Sequence, residues 1–139
     1  HRVPHRECEL GETYGIIVRG KQNNIFFLPD HDTYLETLNY HKKNSIREWL
    51  KSLEVDVALI DGTFFTLEEI SGERSDSKVI PHPTISESMA LLGKRVEDDP
   101  DIIFIHLNHT NPVIDDEMKR LEIEELGWKI GSQGQVWII

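Results

Sequence analysis

Three short apolar runs in this sequence each end in a residue with a chemically reactive side chain. The run IFFLP ends at Asp30, VALI ends at Asp61, and IFI ends at His106. Stretches with helical periodicity separate the runs, and this alternation predicts a layered α/β fold with a mixed sheet. Ligands of such folds bind beyond the carboxyl ends of the strands. We therefore expect these three side chains to meet at one edge of the sheet.

Turn and capping residues predict the neighbouring elements. Two strands, at 14–20 and 25–30, flank the turn KQNN and form a plausible hairpin. A helix is expected near 44–54, with Asn44 or Ser45 as its N-cap. A strand is expected at 56–61 and a polar loop at 66–80. Thr84 and Glu87 form a capping box that starts a further helix, whose apolar face is Ile85, Met89, Leu92 and Val96. The remaining expected elements are a helix near 115–126 ended by Gly127 and two short strands around a Gly-rich turn within 128–139.

Length and charge limit what the chain can do. Its 139 residues suffice for one domain with one sizeable core. A formal net charge of -10 argues against nonspecific binding to nucleic acid, although a bound cation would reverse the local sign for a small phosphorylated substrate. No apolar run approaches the roughly 18 residues needed to span a membrane. The single cysteine, Cys8, fits a reducing compartment, so we expect a cytoplasmic protein.

Each candidate side chain also has a purely structural interpretation. Asp30 lies in the turn-like sequence PDHD, and Asp61 precedes a glycine, as in an Asx turn. His82 lies between two prolines and would then only pack. His109 and Asn111 would close a loop through bonds to the backbone. That all these interpretations hold at three successive strand ends is less plausible than any one alone.

Carboxylates and imidazoles at short range form a good ligand set for zinc, iron or manganese. A metal site at this edge of the sheet is therefore the alternative to a set of structural turns. His31 and His41 are interpreted as solvated surface residues, and Cys8 as inert.

The order of five motifs resembles the metallo-β-lactamase superfamily. These motifs are VPHRECELGETYGIIV, FFLPD, DVALIDGTFF, PHPTISESMALL and IFIHLNHTNP. The branch with the greatest resemblance contains coenzyme PQQ synthesis protein B and similar hydrolases. Cyclic phosphodiesterases of phosphonate breakdown and tRNA 3′-processing endonucleases resemble the chain more distantly. The resemblance extends from about residue 3 to residue 139.

The resemblance implies a four-layer αββα sandwich made of two similar halves. Its main metal-binding signature, HxHxDH, belongs to the first half, and no two histidines of this chain have the spacing H-x-H. We therefore expect residues 1–139 to form a single unit that corresponds to the C-terminal half. The expected partners are a missing N-terminal half or a second copy, either of which would cover an exposed apolar face.

The resemblance also implies a set of metal ligands. His5 would be the first ligand, Asp30 the bridging carboxylate, and His106 the last ligand. Asp32 is the alternative to Asp30, because PDHD offers two carboxylates. The complete protein would hold two divalent ions, with zinc expected and manganese or iron as alternatives.

Three further residues would take part in catalysis. Asp61 would orient His82, which would donate a proton to the leaving oxygen. His109 would point at the substrate or assist His82. The implied chemistry is metal-assisted hydrolysis of a small-molecule or phosphodiester substrate.

Two other functions stay open. One is a role like that of coenzyme PQQ synthesis protein B, with iron and oxygen chemistry during cofactor biosynthesis. The other is a non-catalytic half-domain that binds a partner. With about half the ligands, the isolated chain is expected to be inactive in either enzymatic case.

Overall fold

A computed structural model describes residues 1–6, 12–70 and 81–139. The strands are β1 (Arg2–Pro4), β2 (Glu12–Tyr14), β3 (Ile16–Arg19), β4 (Asn24–Leu28), β5 (Val57–Asp61), β6 (Asp101–Ile105) and β7 (Lys129–Ile130). The helices are α1 (Tyr34–His41), α2 (Ile46–Ser52), α3 (Ile85–Leu92) and α4 (Glu117–Glu125), with short 3-10 turns at Leu67–Ile70 and Pro112–Ile114.

Five strands form the mixed sheet that the alternation of elements predicts. Their order is β3-β4-β5-β6-β7, with β3 and β4 antiparallel and the other neighbours parallel. In the register of the parallel strands, Leu28 pairs with Ile60 and Asp61 pairs with Ile105. The carboxyl ends of β4, β5 and β6 therefore reach the same edge of the sheet, which we call the carboxyl edge.

Side-chain caps fix where the helices start. Ser45, one of the two predicted caps of α2, accepts a hydrogen bond from the backbone N–H of Glu48 at 3.1 Å. Thr84 accepts the equivalent bond from Glu87 N–H at 3.1 Å, as the capping box predicts. Each cap satisfies an N–H group that has no partner inside its helix.

The two faces of the sheet differ in how they are covered. On one face, alternate strand residues such as Phe26, Ala58 and Phe104 are fully buried in a core shared with the helices. The opposite face carries a second, smaller cluster made of Ile25, Val57, Leu59 and Ile103, which Ile105 and Trp137 partly cover. We call this opposite side the far face.

The far face bears the exposed apolar surface that the sequence predicts. Ile16 and Val18, on the edge strand β3, are 57% and 40% exposed, and Phe27 on β4 is 38% exposed. Such a surface is typical of a region that contacts another protein segment.

Several sequence predictions are wrong. The helix from Thr84 ends at Leu92, because Gly93 adopts a positive φ of 63°, and Val96 therefore lies outside it. Residues 132–139 contain no strand, and only Lys129–Ile130 joins the sheet. His31 is buried, at 1% exposure, rather than solvated.

Helix α1 and the two-stranded ribbon β1-β2 were not predicted from the sequence. Cys8 and most of the predicted loop at 66–80 lie outside the described residues. In the described part of the chain, no helix has the length and apolar character required to cross a membrane.

Candidate metal centre at the carboxyl edge

Asp61 is the centre of the hydrogen-bond network at the carboxyl edge. It ends β5, and its carboxylate is fully buried. One oxygen, Oδ2, accepts from His82 Nδ1 at 2.6 Å and from the backbone N–H of His31 at 3.0 Å. The other, Oδ1, accepts from the N–H and the hydroxyl of Thr63, at 2.8 and 2.6 Å. Both oxygens are therefore fully engaged.

Gly62 makes this tight turn possible. A Cβ at this position would lie 2.8 Å from Phe104 Cβ and 3.0 Å from Ile105 O. Gly62 N–H instead donates to Ile105 O at 2.8 Å. The chain can thus turn directly after Asp61 and bring Thr63 back over the carboxylate.

His106 follows β6 directly, as the sequence predicts. Its φ is 62°, which a residue with a side chain rarely adopts. Its Nδ1 lies 2.9 Å from Thr63 Oγ1, and its ring centroid lies 6.0 Å from that of His82. Strained backbone of this kind occurs often at functional sites, where the surrounding structure maintains it.

His5 and Asp30 form the second part of the cluster. His5 follows β1 and is buried, and its Nε2 lies 3.2 Å from Asp30 Oδ1. Asp30 follows β4, and its side chain is 51% exposed. The same carboxylate oxygen lies 3.8 Å from His82 Nδ1, which links the two parts.

Asp32 is held by a cation. Arg6 donates to Asp32 Oδ2 from both its backbone N–H and its Nε at 2.8 Å, and its Nη2 lies 2.5 Å from Oδ1. Burial alone would raise the pKa of Asp32, but these bonds outweigh it and hold that pKa below its ordinary value. Asp30, the other carboxylate in PDHD, lies 3.2 Å from His5 Nε2 and 3.8 Å from His82 Nδ1.

His109 lies apart from these residues in the described contacts. Its ring is exposed, and its Nδ1 lies 3.1 Å from the side-chain oxygen of the adjacent Asn108. Asn111, by contrast, has the structural role foreseen for it, since its Nδ2 donates to Gly62 O at 2.9 Å. The structure therefore brings five of the six predicted site residues together at the carboxyl edge.

The donor atoms fit a divalent metal. Asp61, His82 and His106 each offer a donor atom, all within 4.8 Å of one another. Because Asp61 already accepts four hydrogen bonds, it suits an orienting role better than a ligand role. Ligands about 2.0–2.1 Å from a tetrahedral zinc lie about 3.3 Å apart. The 3.2 Å between His5 Nε2 and Asp30 Oδ1 matches that spacing.

Two residues of this network, Thr63 and His31, were not predicted from the sequence. Thr63 touches three of the site side chains, and the backbone N–H of His31 binds Asp61. The signal for Thr63 was its place in the motif DGT, directly beyond a strand end. The burial of His31 depends on α1, which the sequence did not reveal.

The chain has the fold of about half of a solved protein with a metallo-β-lactamase fold. The chain superposes on the crystal structure of Zn(2+)-bound PqqB from Methylobacterium extorquens with a TM-score of 0.62 and 21% sequence identity. The match covers 99% of this chain and 48% of that one. No family model matches the chain.

A sequence comparison indicates the same branch. Over 143 aligned residues, the chain is 27% identical to coenzyme PQQ synthesis protein B of Nitrosococcus oceani. The alignment covers 94% of this chain and 42% of the relative. The chain thus spans about half the length of both relatives. The resemblance to the PqqB-like branch, inferred from the motifs, is confirmed in sequence and in fold.

Proposed function

We propose that the carboxyl edge is one half of a metal-dependent hydrolytic centre. The observation that carries this proposal is the contact of a carboxylate-bound histidine, His82, with a separate imidazole and carboxylate pair, His5 and Asp30. His5, Asp30 and His106 would hold the metal. Zinc is the expected ion, supported by the mixture of imidazole and carboxylate donors and by the zinc-bound relative. Manganese or iron is the alternative, and the complete centre would hold two ions.

A divalent cation at such a site lowers the pKa of water and offsets negative charge on a phosphoryl or acyl oxygen. The chain's own residues supply proton transfer. Asp61 holds the Nδ1 proton of His82 at 2.6 Å and stabilises its imidazolium form. The opposite nitrogen, Nε2, would then donate a proton to the leaving oxygen. His109, exposed on the loop after β6, would contact the substrate from the solvent side.

A small phosphodiester is the substrate class that we propose. With a net charge of -10, the chain would repel a polyanion such as nucleic acid. A bound cation would allow a small anion to approach. A cytoplasmic location also belongs to this proposal.

Zinc titration and phosphodiester turnover test the proposal. We expect zinc to bind the wild-type chain, the binding to be lost in Asp30→Ala, and the binding to be retained in His82→Gln. Asp115→Ala, which removes an exposed carboxylate far along the chain, is the matched control. Hydrolysis of bis(p-nitrophenyl) phosphate, measured with the complementary half present, should be lost in both site variants. Equal zinc affinity in wild type and Asp30→Ala would contradict the ligand assignment.

A second candidate function is a step in PQQ biosynthesis. The sequence match to coenzyme PQQ synthesis protein B supports it. In that case, iron and oxygen chemistry on a precursor would replace hydrolysis. Metal analysis of the isolated protein separates the candidates, because zinc or manganese favours hydrolysis, whereas iron with metal-dependent oxygen uptake favours oxidation.

A third candidate is a non-catalytic half-domain. The exposed apolar residues of the far face support a partner there, either an N-terminal half or a second copy. A chain that binds neither zinc nor iron but associates through this face would favour this candidate.

A further inference from the structure

Thr63 contacts two histidines at the carboxyl edge, His82 and His106. It is 7% exposed, and its hydroxyl oxygen lies within 3.3 Å of Asp61, His82 and His106. We propose that Thr63 is a positioning residue that keeps the proton of His106 on Nδ1 and leaves Nε2 free to bind metal. The ligand role of His106 rests on the proposed function, whereas the position of its proton does not.

Proton counting on the Thr63 hydroxyl supports this assignment. The hydroxyl has one hydrogen and two acceptor lone pairs, whereas an ionised carboxylate only accepts. Asp61 Oδ1, at 2.6 Å, is the nearest of the three partners and also accepts Thr63 N–H. The hydroxyl hydrogen is therefore committed to Asp61.

The committed hydroxyl can only accept from His106. At 2.9 Å from Oγ1, His106 Nδ1 must then carry a hydrogen and donate it. In the neutral imidazole, Nε2 is left with its lone pair, which is the form that a metal requires. Thr63 thus donates to Asp61 and accepts from His106, so that Asp61 determines the proton position of His106 through the hydroxyl.

Two hydrogen bonds join the loops that carry Thr63 and His106. Asn108 N–H donates to Thr63 O at 2.9 Å, and Asn111 Nδ2 donates to Gly62 O at 2.9 Å. These bonds tie the loop after β6 to the turn after β5. His106, whose φ is 62°, begins this loop, and its Nδ1 lies 2.9 Å from the hydroxyl.

Two substitutions separate the hydroxyl from the shape of the side chain. Thr63→Val keeps the volume and removes the hydroxyl, whereas Thr63→Ser keeps the hydroxyl. Thr13→Val, on strand β2 and outside the loops after β5 and β6, is the matched control. The protonated nitrogen of His106 is read from imidazole ¹⁵N chemical shifts of the metal-free chain, with thermal unfolding as a check of folding.

We expect an Nδ1-protonated His106 in wild type, in Thr63→Ser and in Thr13→Val, and a mixture of tautomers in Thr63→Val. Titration with Zn²⁺ alone should show affinity lowered by roughly 10- to 100-fold in Thr63→Val. Thr63→Ser should stay close to wild type. Restoration by serine would distinguish an effect of the hydroxyl from general loss of packing.

Other outcomes overturn the inference or separate it from the proposed function. A wild-type His106 protonated on Nε2 overturns it, even if Thr63→Val fails to fold. An unchanged tautomer in folded Thr63→Val also overturns it. A tautomer change in a protein that binds no Zn²⁺ would support the positioning role and would reject the proposed metal centre.

Discussion

Two aspartates at neighbouring strand ends illustrate how environment separates the roles of identical side chains. Asp61, at the end of β5, is fully buried, and its carboxylate accepts from His31, Thr63 and His82. Asp30, beyond the end of β4, is half-exposed and contacts His5 at 3.2 Å.

The difference lies in how much of each carboxylate is already used. All four acceptor positions of Asp61 are occupied by protein donors, so it orients the groups around it. Asp30 has an exposed carboxylate beside imidazoles, the arrangement expected of a metal ligand. Alanine substitutions should therefore affect different properties at the two positions.

The largest expected effect is on folding. Asp61→Ala should lower the free energy of unfolding by about 3 kcal/mol or more, because the buried N–H groups of His31 and Thr63 each lose an acceptor. Asp30→Ala should change it by less than about 1 kcal/mol, because the exposed carboxylate supports little else. Urea denaturation measures both values. Similar losses in the two variants would remove the distinction between orienting and ligating carboxylates.

His31, whose backbone N–H binds the buried Asp61, should also make stability depend on pH. Burial lowers the pKa of His31 from 6.5 to about 4, although the nearby charges of Asp61 and Asp32 oppose the shift. The unfolded chain therefore binds the extra proton first as pH falls below 6.5, and stability present above that pH is lost progressively toward pH 4.

The expected loss between pH 7 and pH 5 is about 2 kcal/mol from this group. Urea denaturation at several pH values measures it. His31→Gln should be less stable at pH 7 but should show a smaller dependence on pH. His109→Gln, which removes an exposed imidazole, should keep the wild-type dependence. An unchanged dependence in His31→Gln would contradict the assignment.

The third prediction concerns the other carboxylate of PDHD. Arg6→Ala leaves the buried Asp32 without its cation, and we expect a cost of about 1–2 kcal/mol, limited because Arg6 is partly exposed. Arg6 is adjacent to His5, one of the proposed metal ligands. Loss of the contacts between Arg6 and Asp32 should therefore displace His5 and lower the affinity for zinc. Arg6→Lys should be intermediate, because an ammonium cannot form the same paired contact. Full zinc affinity in Arg6→Ala would show that His5 is held independently.

The smallest expected effect on stability lies on the far face, away from both aspartates. Ile16→Lys combined with Val18→Lys should change the free energy of unfolding by less than about 0.5 kcal/mol, since both side chains are exposed. Sedimentation should nevertheless show reduced self-association, because lysines on an edge strand oppose pairing. Zinc binding at the carboxyl edge should not change. A wild-type chain that is strictly monomeric and binds no hydrophobic dye would contradict the partner prediction.

The sequence predicted the parts of the fold that have strong local signals. The apolar runs of β4, β5 and β6 end at or beside Asp30, Asp61 and His106, and parallel pairing brings these ends together. Helices α2 and α3 carried both periodicity and a cap.

The missed elements have weak local signals. Strand β1 has only three residues, and α1 exposes Leu35 and Tyr40, so neither shows a clear apolar pattern. His31 is buried because it packs beside Tyr34 and Trp49. Tyr34 belongs to the unpredicted helix α1, and Trp49 is remote from PDHD in the sequence. The final residues look like a strand but lie outside the sheet, with Trp137 against the far face.

The sequence predicted most residues of the candidate site but not the contacts between them. Strand ends indicated Asp30, Asp61 and His106, and the start of α3 indicated His82. The family resemblance added His5, and the structure brings these five together. The hydrogen-bond directions that distinguish Asp61 from Asp30 depend on burial and on the turn at Gly62. Burial and turn geometry depend on the tertiary structure, so the order of residues along the chain does not predict them.

The extensive bonding of Asp61 also bears on how a metal would be acquired. Many small zinc domains fold only as the ion binds, so that chelation unfolds them. Here the orienting network is already closed by protein donors, whereas Asp30 and His106 stand at the solvent-exposed rim. Loading and removal of an ion would then be an exchange reaction on a folded scaffold. Its rate would be set by access to the rim, and the unfolding equilibrium would not control it.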